Sequence, residues 1–196
     1  MEQNTEMSIY GDKRPELERA CRELSEHIAE IRSEMAERLG MDPVEHYLTR
    51  IKSEESMREK CLRKGLPQNS DSALRVIRDA IGVRVVCAFV DDVYEIRNQL
   101  ESSGKYEFIE EKDYIRHAKP NGYRSYHIII RINGEFYAEI ELRTISMDTW
   151  ASLEHHLKYK KDIGANTSLI VNELKRCADE LASTDLSMQT IRDMIG

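Results

Sequence analysis

The sequence predicts an α+β fold, a mixed β-sheet of about five strands flanked by helices, with a long helix at each end. Three observations predict it. Residues 16–39 and 170–195 carry apolar positions at helical spacing, the stretch between 82 and 144 turns to β-branched runs, and Asn133-Gly134 separates two of those runs as a hairpin turn.

In the first helix Leu17, Cys21, Leu24, Ile28, Ile31 and Met35 are spaced by fours and threes, which puts them on one stripe. Gly40 ends it. Asp42-Pro43-Val44-Glu45 reads as a cap, a first-turn proline and a capping-box acid, so a new helical start is expected there, followed by a short strand over 47–52. Ser53-Glu54-Glu55-Ser56 then opens a helix that stops before Gly65 and Pro67. Strands are expected over 82–90, 106–110, 123–132 and 136–144, and helices over 91–102 and 145–158. The last helix repeats the apolar stripe with Ile170, Leu174, Cys177 and Leu181, then Met188, Ile191 and Ile195, with Thr184 interrupting it. Two terminal seams on so small a chain imply a homo-oligomer. The expected organisation is an N-terminal helical segment (1–42), a catalytic unit (43–160) and a C-terminal helical segment (161–196).

The chain has 196 residues, a net charge of −7 and 40% apolar positions, the profile of one globular domain with helical additions. No apolar run approaches the roughly 18 residues of a membrane span, and MEQNTEMSIYGDKR lacks the apolar core of a signal peptide. A cytoplasmic location without membrane attachment is expected. Cys21, Cys61, Cys87 and Cys177 lie far apart with no C-x-x-C pair, and read as reduced core thiols. The acidic total argues against a stable nucleic-acid partner. There is no G-x-x-x-x-G-K-[ST], no G-x-G-x-x-G and no H-E-x-x-H, which excludes the common nucleotide loops and that zinc motif.

Charge is concentrated in two places. Arg50 to Lys64 holds six bases against three acids, and on a helix Ser56, Lys60, Arg63 and Lys64 share a face suited to a polyphosphate; an exposed, salt-bridged helix is the plainer alternative. Lys112 to Arg124 holds four bases against one acid around the turn Pro120-Asn121-Gly122, where Tyr123 either stacks on a base or begins the core of its strand. Between them, Phe136, Ala138, Ile140 and Leu142 alternate with Glu139, Glu141 and Arg143. Asp79 at a strand entrance and Glu139 on another strand supply the few carboxylate oxygens that Mg²⁺ requires; a solvated sheet face is the alternative.

Together these segments resemble the synthetase domain of the RelA/SpoT family, and within it the single-domain small alarmone synthetases. The resemblance rests on Arg50-Ile-Lys52, Asp79-Ala-Ile-Gly-Val-Arg84 with Phe89-Val-Asp-Asp, and Lys119-Pro-Asn-Gly-Tyr-Arg-Ser-Tyr-His127. It continues through Glu139-Ile-Glu-Leu-Arg-Thr144 and Trp150-Ala-Ser-Leu-Glu-His155 to Lys158-Tyr-Lys160. It implies a nucleotidyltransferase-like fold and transfer of pyrophosphate from ATP to the 3′-hydroxyl of GDP or GTP, with GMP a further acceptor, giving (p)ppGpp and AMP. By the same resemblance Glu139 is the base, and Asp79 with Glu139 holds Mg²⁺. Arg50 and Arg84 sandwich adenine, while Lys52, Ser56, Lys60 and Arg63 meet the ATP phosphates. Tyr123 stacks on guanine, with Lys119, Asn121, His127, Glu141 and Arg143 around the acceptor nucleotide. The subfamily includes tetramers, so a homotetramer is expected. The length leaves no room for the hydrolase domain of the long members.

Two positions depart from the family pattern. Glu141 stands where the family often has Gln, and a second carboxylate beside the base is expected to raise the pKa of one of the pair by like-charge repulsion. Leu48 and Thr49 precede Arg50 where a small residue is usual. Residues 1–40 carry ten acids against six bases, which argues against a product-binding effector site there. The alternatives are a toxin-like pyrophosphokinase acting on adenosine nucleotides or tRNA, and an inactive nucleotide-binding regulator.

Overall fold

The computed structural model describes residues 8–159 and 167–195. Lys160 and the expected boundary at 160/161 lie outside the described residues, as do the side chains of Lys158 and Tyr159. The elements run α1 (Arg14–Leu39), β1 (Val44–Ile51), α2 (Glu54–Arg63), β2 (Ile81–Cys87), α3 (Val90–Ser102), β3 (Glu107–Asp113), β4 (Tyr126–Ile132), β5 (Phe136–Thr144), α4 (Ile145–Tyr159) and α5 (Thr167–Ile195). The strands form one mixed sheet in the order β1-β2-β5-β4-β3, parallel only between β2 and β5.

Alternation along each strand sorts the sheet into two faces. On one, Val83 and Val85 of β2, Ile128 and Ile130 of β4, and Ala138 and Ile140 of β5 are buried and join a single core. The apolar stripe of α1 completes that core: Leu17, Leu24, Ile28, Ile31 and Met35 are all buried. Each such side chain removed from water contributes about 1.5–3 kcal/mol. The helix ends as expected at Gly40, whose left-handed φ of 68° suits a residue without Cβ. On the other face lies a field of charged side chains.

Residues 42–45 do not start a helix. The Asp42 carboxylate accepts the Val44 N–H at 3.0 Å and is gripped by Arg32, so the Asx-Pro pair is a turn that leads directly into β1. The expected Ser53 cap is present, its hydroxyl accepting from the Ser56 N–H. The hairpin turn is also as expected, with Asn133 and Gly134 at φ 53° and 70°. Strand β3 runs three residues past its expected end, and β4 begins three residues late, leaving Tyr123 in the loop before it.

The C-terminal stripe is where the pattern misleads. The face of α5 that packs on the domain is lined by Ala178, Asp185 and Gln189, all buried, whereas Cys177, Met188, Ile191 and Ile195 are exposed. Asp185 accepts from Thr144 Oγ1 at 2.6 Å, Gln189 from the Asp91 N–H at 3.3 Å, and Arg192 donates to buried Asp92 at 2.7 Å. Cys61 and Cys87 are core thiols, Cys21 is half-buried, and Cys177 is not a core thiol. No helix among the described residues is long and apolar enough to cross a membrane.

Candidate active site

Strand register lays the charged face out in two rows. One row crosses the sheet as Arg50, Gly82, Glu139, Ile129 and Glu110; the next crosses as Leu48, Arg84, Glu141, His127 and Lys112. Residues far apart in the chain become neighbours because they occupy equivalent pleats on adjacent strands. Gly82 matters here because it has no side chain, and the Arg50 side chain lies over it, its Cγ and Nε both 3.7 Å from where a Cβ would stand.

Two cavities open on this face. The larger, about 520 Å³, is lined on one wall by Lys60, Lys64 and Asp79 and on the other by Tyr114, Lys119 and His127, with Glu139 between them. The smaller, about 110 Å³, is lined by Leu48, Arg50, Gly82, Arg84, Glu139 and Glu141. Glu139 lines both.

Asp79 receives Lys60 Nζ at 2.5 Å and Lys52 Nζ at 2.9 Å on its Oδ2, while its buried Oδ1 has no hydrogen-bond partner. Burial pushes the Asp79 carboxyl upward, but the two lysines outweigh it and hold the group below the usual value. Glu139 Oε1 lies 3.3 Å from His127 Nδ1. That hydrogen bond keeps the Glu139 carboxyl below its usual value, against burial and the negative charge of Asp79. The expected like-charge rise is therefore not seen at Glu139. Glu141 turns to cations instead: Arg84 Nε at 3.3 Å and Arg143 Nη2 at 2.8 Å.

The loop between β3 and β4 carries an aromatic cluster. Tyr123 lies edge-on to Tyr114 and Trp150, with ring centroids 6.2 and 6.3 Å away, and Lys119 Nζ sits 4.4 Å from the Tyr114 ring and 4.6 Å from that of Tyr123. Asn121 lines neither cavity; its amide donates to Glu154 at 3.2 Å and its carbonyl accepts the Tyr123 N–H at 3.2 Å, which shapes the turn. Gly122, at φ 93°, backs onto α5 so closely that a Cβ would come within 2.6 Å of the Ala178 Cβ.

The structure thus gathers Arg50, Lys52, Lys60, Asp79, Arg84, Lys119, His127, Glu139 and Glu141 around the two cavities. Tyr123 and Arg143 stand immediately behind His127 and Glu141. Ser56 and Arg63 line neither cavity, and Ser56 is hydrogen-bonded to Ser53. Sequence reasoning missed Arg78, Glu110, Lys112 and Tyr114 as site residues. Extending the alternation of β3 by one more pair would have found Lys112.

Residues 49–164 match the family described as a region found in RelA / SpoT proteins. The chain is 40% identical over 160 residues to the GTP pyrophosphokinase YwaC of Bacillus subtilis, covering 78% of this chain and 76% of that one. Among solved structures it is similar to small alarmone synthetase 2 of Bacillus subtilis, with a TM-score of 0.77, 36% identity and coverage of 91% and 96% of the two chains. Small alarmone synthetase 1 of the same organism, bound to its product pppGpp, aligns with a TM-score of 0.79 at 28% identity, covering 93% and 95%. A sheet that places a carboxylate between two cation-lined cavities, with the family match spanning more than half the sequence, identifies the chain as a member of the RelA/SpoT family.

Proposed function

We propose that this protein is a (p)ppGpp synthetase that transfers pyrophosphate from ATP to the 3′-hydroxyl of GDP or GTP, with GMP as a further acceptor. The observation that carries the reading is the position of Glu139 at the seam of the two cavities. A reaction joining two nucleotides needs its base where they meet. In this reading ATP lies over Arg50 and Arg84, whose planar guanidinium groups suit stacking on adenine. Lys52 and Lys60 meet its phosphates, with Ser56 and Arg63 farther along α2. The acceptor base sits against Tyr123 and Lys119, beside the turn held by Asn121, with Glu141 and Arg143 supporting it from behind.

Glu139 takes the proton of the 3′-hydroxyl as that oxygen attacks the β-phosphorus of ATP. The bond from the β-phosphorus to the α–β bridging oxygen breaks, and AMP leaves with that oxygen. General base catalysis of this kind contributes about 10²- to 10⁴-fold. The donor set fits Mg²⁺, because Asp79 Oδ1 is buried without a partner close to Glu139, and Mg²⁺ favours few carboxylates. When bound, Mg²⁺ would be held by Asp79 and Glu139 and would draw charge from the ATP phosphates. Lys52 and Lys60 neutralise Asp79 until phosphate oxygens compete for them.

Bacillus subtilis small alarmone synthetase 1, solved with pppGpp and with AMPCPP, supports a site for both nucleotides. The deciding experiment incubates the protein with labelled ATP, Mg²⁺ and each of GMP, GDP, GTP, ADP and tRNA. Label is expected in the guanine nucleotides; label only in ADP or tRNA overturns the reading, and so does label in none. A homotetramer is part of the same proposal, supported by exposed Leu153 and Leu157 on α4 and Met188, Ile191 and Ile195 on α5. Light scattering on the purified chain tests it, and a monomeric mass overturns it.

A further inference from the structure

A guanidinium offers only donors, so where Arg143 meets a hydroxyl the direction of the hydrogen bond is decided. Arg143 is 4% exposed. Its Nη2 donates to the Tyr123 hydroxyl at 2.9 Å, and its charge is balanced by Glu141 at 2.8 Å and Asp148 at 3.2 Å. The Tyr123 hydroxyl, its oxygen accepting from Arg143, keeps one hydrogen to give, and His127 Nε2 stands 2.8 Å away as an acceptor for it. In that arrangement Nε2 carries no hydrogen, and the neutral imidazole holds it on Nδ1. Nδ1 is the atom that faces Glu139 Oε1, at 3.3 Å.

We propose that Arg143, Tyr123 and His127 form a one-way hydrogen-bond chain whose last donor fixes the orientation of the Glu139 carboxylate. The Tyr123 hydroxyl is then a positioning group for the base, a task separate from any stacking by its ring. The inference rests on the reading of Glu139 as the base. A glutamate on a strand can rotate about three side-chain bonds, and one N–H held at Oε1 selects a single arrangement while leaving the remaining lone pairs, Oε2 included, to the substrate hydroxyl and the metal. Rigid second partners of this kind are what give a reacting group its geometry. His127 is suited to it because it lies directly across the β4–β5 ladder from Glu141, one pleat along from Glu139.

Two measurements test the chain. In nucleotide-free protein labelled with ¹⁵N-histidine, at about pH 8 where an ordinary imidazole is neutral, long-range ¹H–¹⁵N correlation reads the tautomer. The His127 signal is assigned by its loss in His127→Gln. The Nδ1–H form is expected, and Tyr123→Phe is expected to shift the population toward Nε2–H. In kinetics Tyr123→Phe keeps the ring and is expected to lower kcat about tenfold, the worth of one hydrogen bond in a transition state. The KM for GDP should stay within about twofold. An Nε2–H tautomer in the unaltered protein overturns the chain, whatever the variant does. A Tyr123→Phe effect confined to KM for GDP, or no effect on kcat, overturns it as well. Glu139→Gln separates this inference from the one beneath it: retained turnover removes the base, whereas lost turnover with an unimpaired Tyr123→Phe removes only the chain.

Discussion

The two halves of the cleft are built differently. On the side proposed for ATP, Lys52 and Lys60 share one oxygen of Asp79, and Arg84 rests against Glu141, so the cations are held by pairings that a bound phosphate or base would take over. On the side proposed for the guanine nucleotide, Tyr114, Tyr123, Trp150 and His127 pack on one another, and the turn beneath them is hydrogen-bonded to α4 and pressed against α5. One side exchanges partners on binding; the other is already assembled. An exchange of ion pairs near a surface costs little and is screened by salt, whereas an assembled aromatic pocket is bound with less ordering cost. Donor affinity should therefore depend more steeply on ionic strength than acceptor affinity.

Glu139→Gln removes the group the halves share, and the largest loss is expected there: about 10²- to 10⁴-fold in kcat with an unchanged melting curve. Substantial residual turnover would break the comparison at its centre. Next come the halves themselves. Tyr123→Ala removes a stacking face worth about 1–3 kcal/mol, so the KM for GDP should rise about 5- to 150-fold while that for ATP changes far less. Arg84→Ala should show the reverse bias. Equal effects on both nucleotides in either variant would erase the distinction.

Gly122→Ala probes whether the acceptor side is held from behind. A left-handed φ costs a residue with Cβ about 1–2 kcal/mol, and overpacking against Ala178 adds about 1–3 kcal/mol. At about 2–4 °C per kcal/mol in a chain of this size, melting should fall by roughly 4–20 °C, and the KM for the guanine nucleotide should rise with it. The smallest effect is expected outside the cleft, at Glu111, whose carboxyl the Arg97 guanidinium holds below its usual value against partial burial. A carboxyl depressed in the folded state stabilises above its ordinary value of 4.5, and that stability is lost as pH falls through the lower folded value. Glu111→Gln should cost about 1 kcal/mol near pH 7 in denaturant melts, and the gap should narrow as pH falls below 4.5 without change in either KM.

Much of this was legible because alternation and turn chemistry are local. The Phe136–Leu142 series places Glu139 and Glu141 on one face without knowledge of any partner strand, and Asn133-Gly134 announces its own turn. What joins Arg50 to Glu139 is register between strands distant in sequence, and no local pattern encodes it. Asp42-Pro43 misled because an aspartate carboxylate caps the first N–H of a strand as readily as that of a helix. Part of the inner seam of α5 was hidden by its chemistry: Asp185 and Gln189 are buried through hydrogen bonds to Thr144 and Asp91, so apolar spacing followed the half-buried Ile170, Leu174 and Leu181 onto the exposed Met188, Ile191 and Ile195. Lys112 escaped because β3 carries charged residues along both faces of its end.

The single parallel pairing in the sheet, between β2 and β5, has a consequence in time. Arg84 and Glu141 meet there although 57 positions apart in the chain, and such pairings form late because a long loop must close before any contact rewards it. The cations of α2 come early in the chain, but Glu139 does not reach them until the crossover through α3, β3 and β4 is complete. A chain still leaving the ribosome holds the basic helix without the carboxylate beside it. The two cavities and the carboxylate between them therefore exist only in the finished sheet, and topology serves as the interlock.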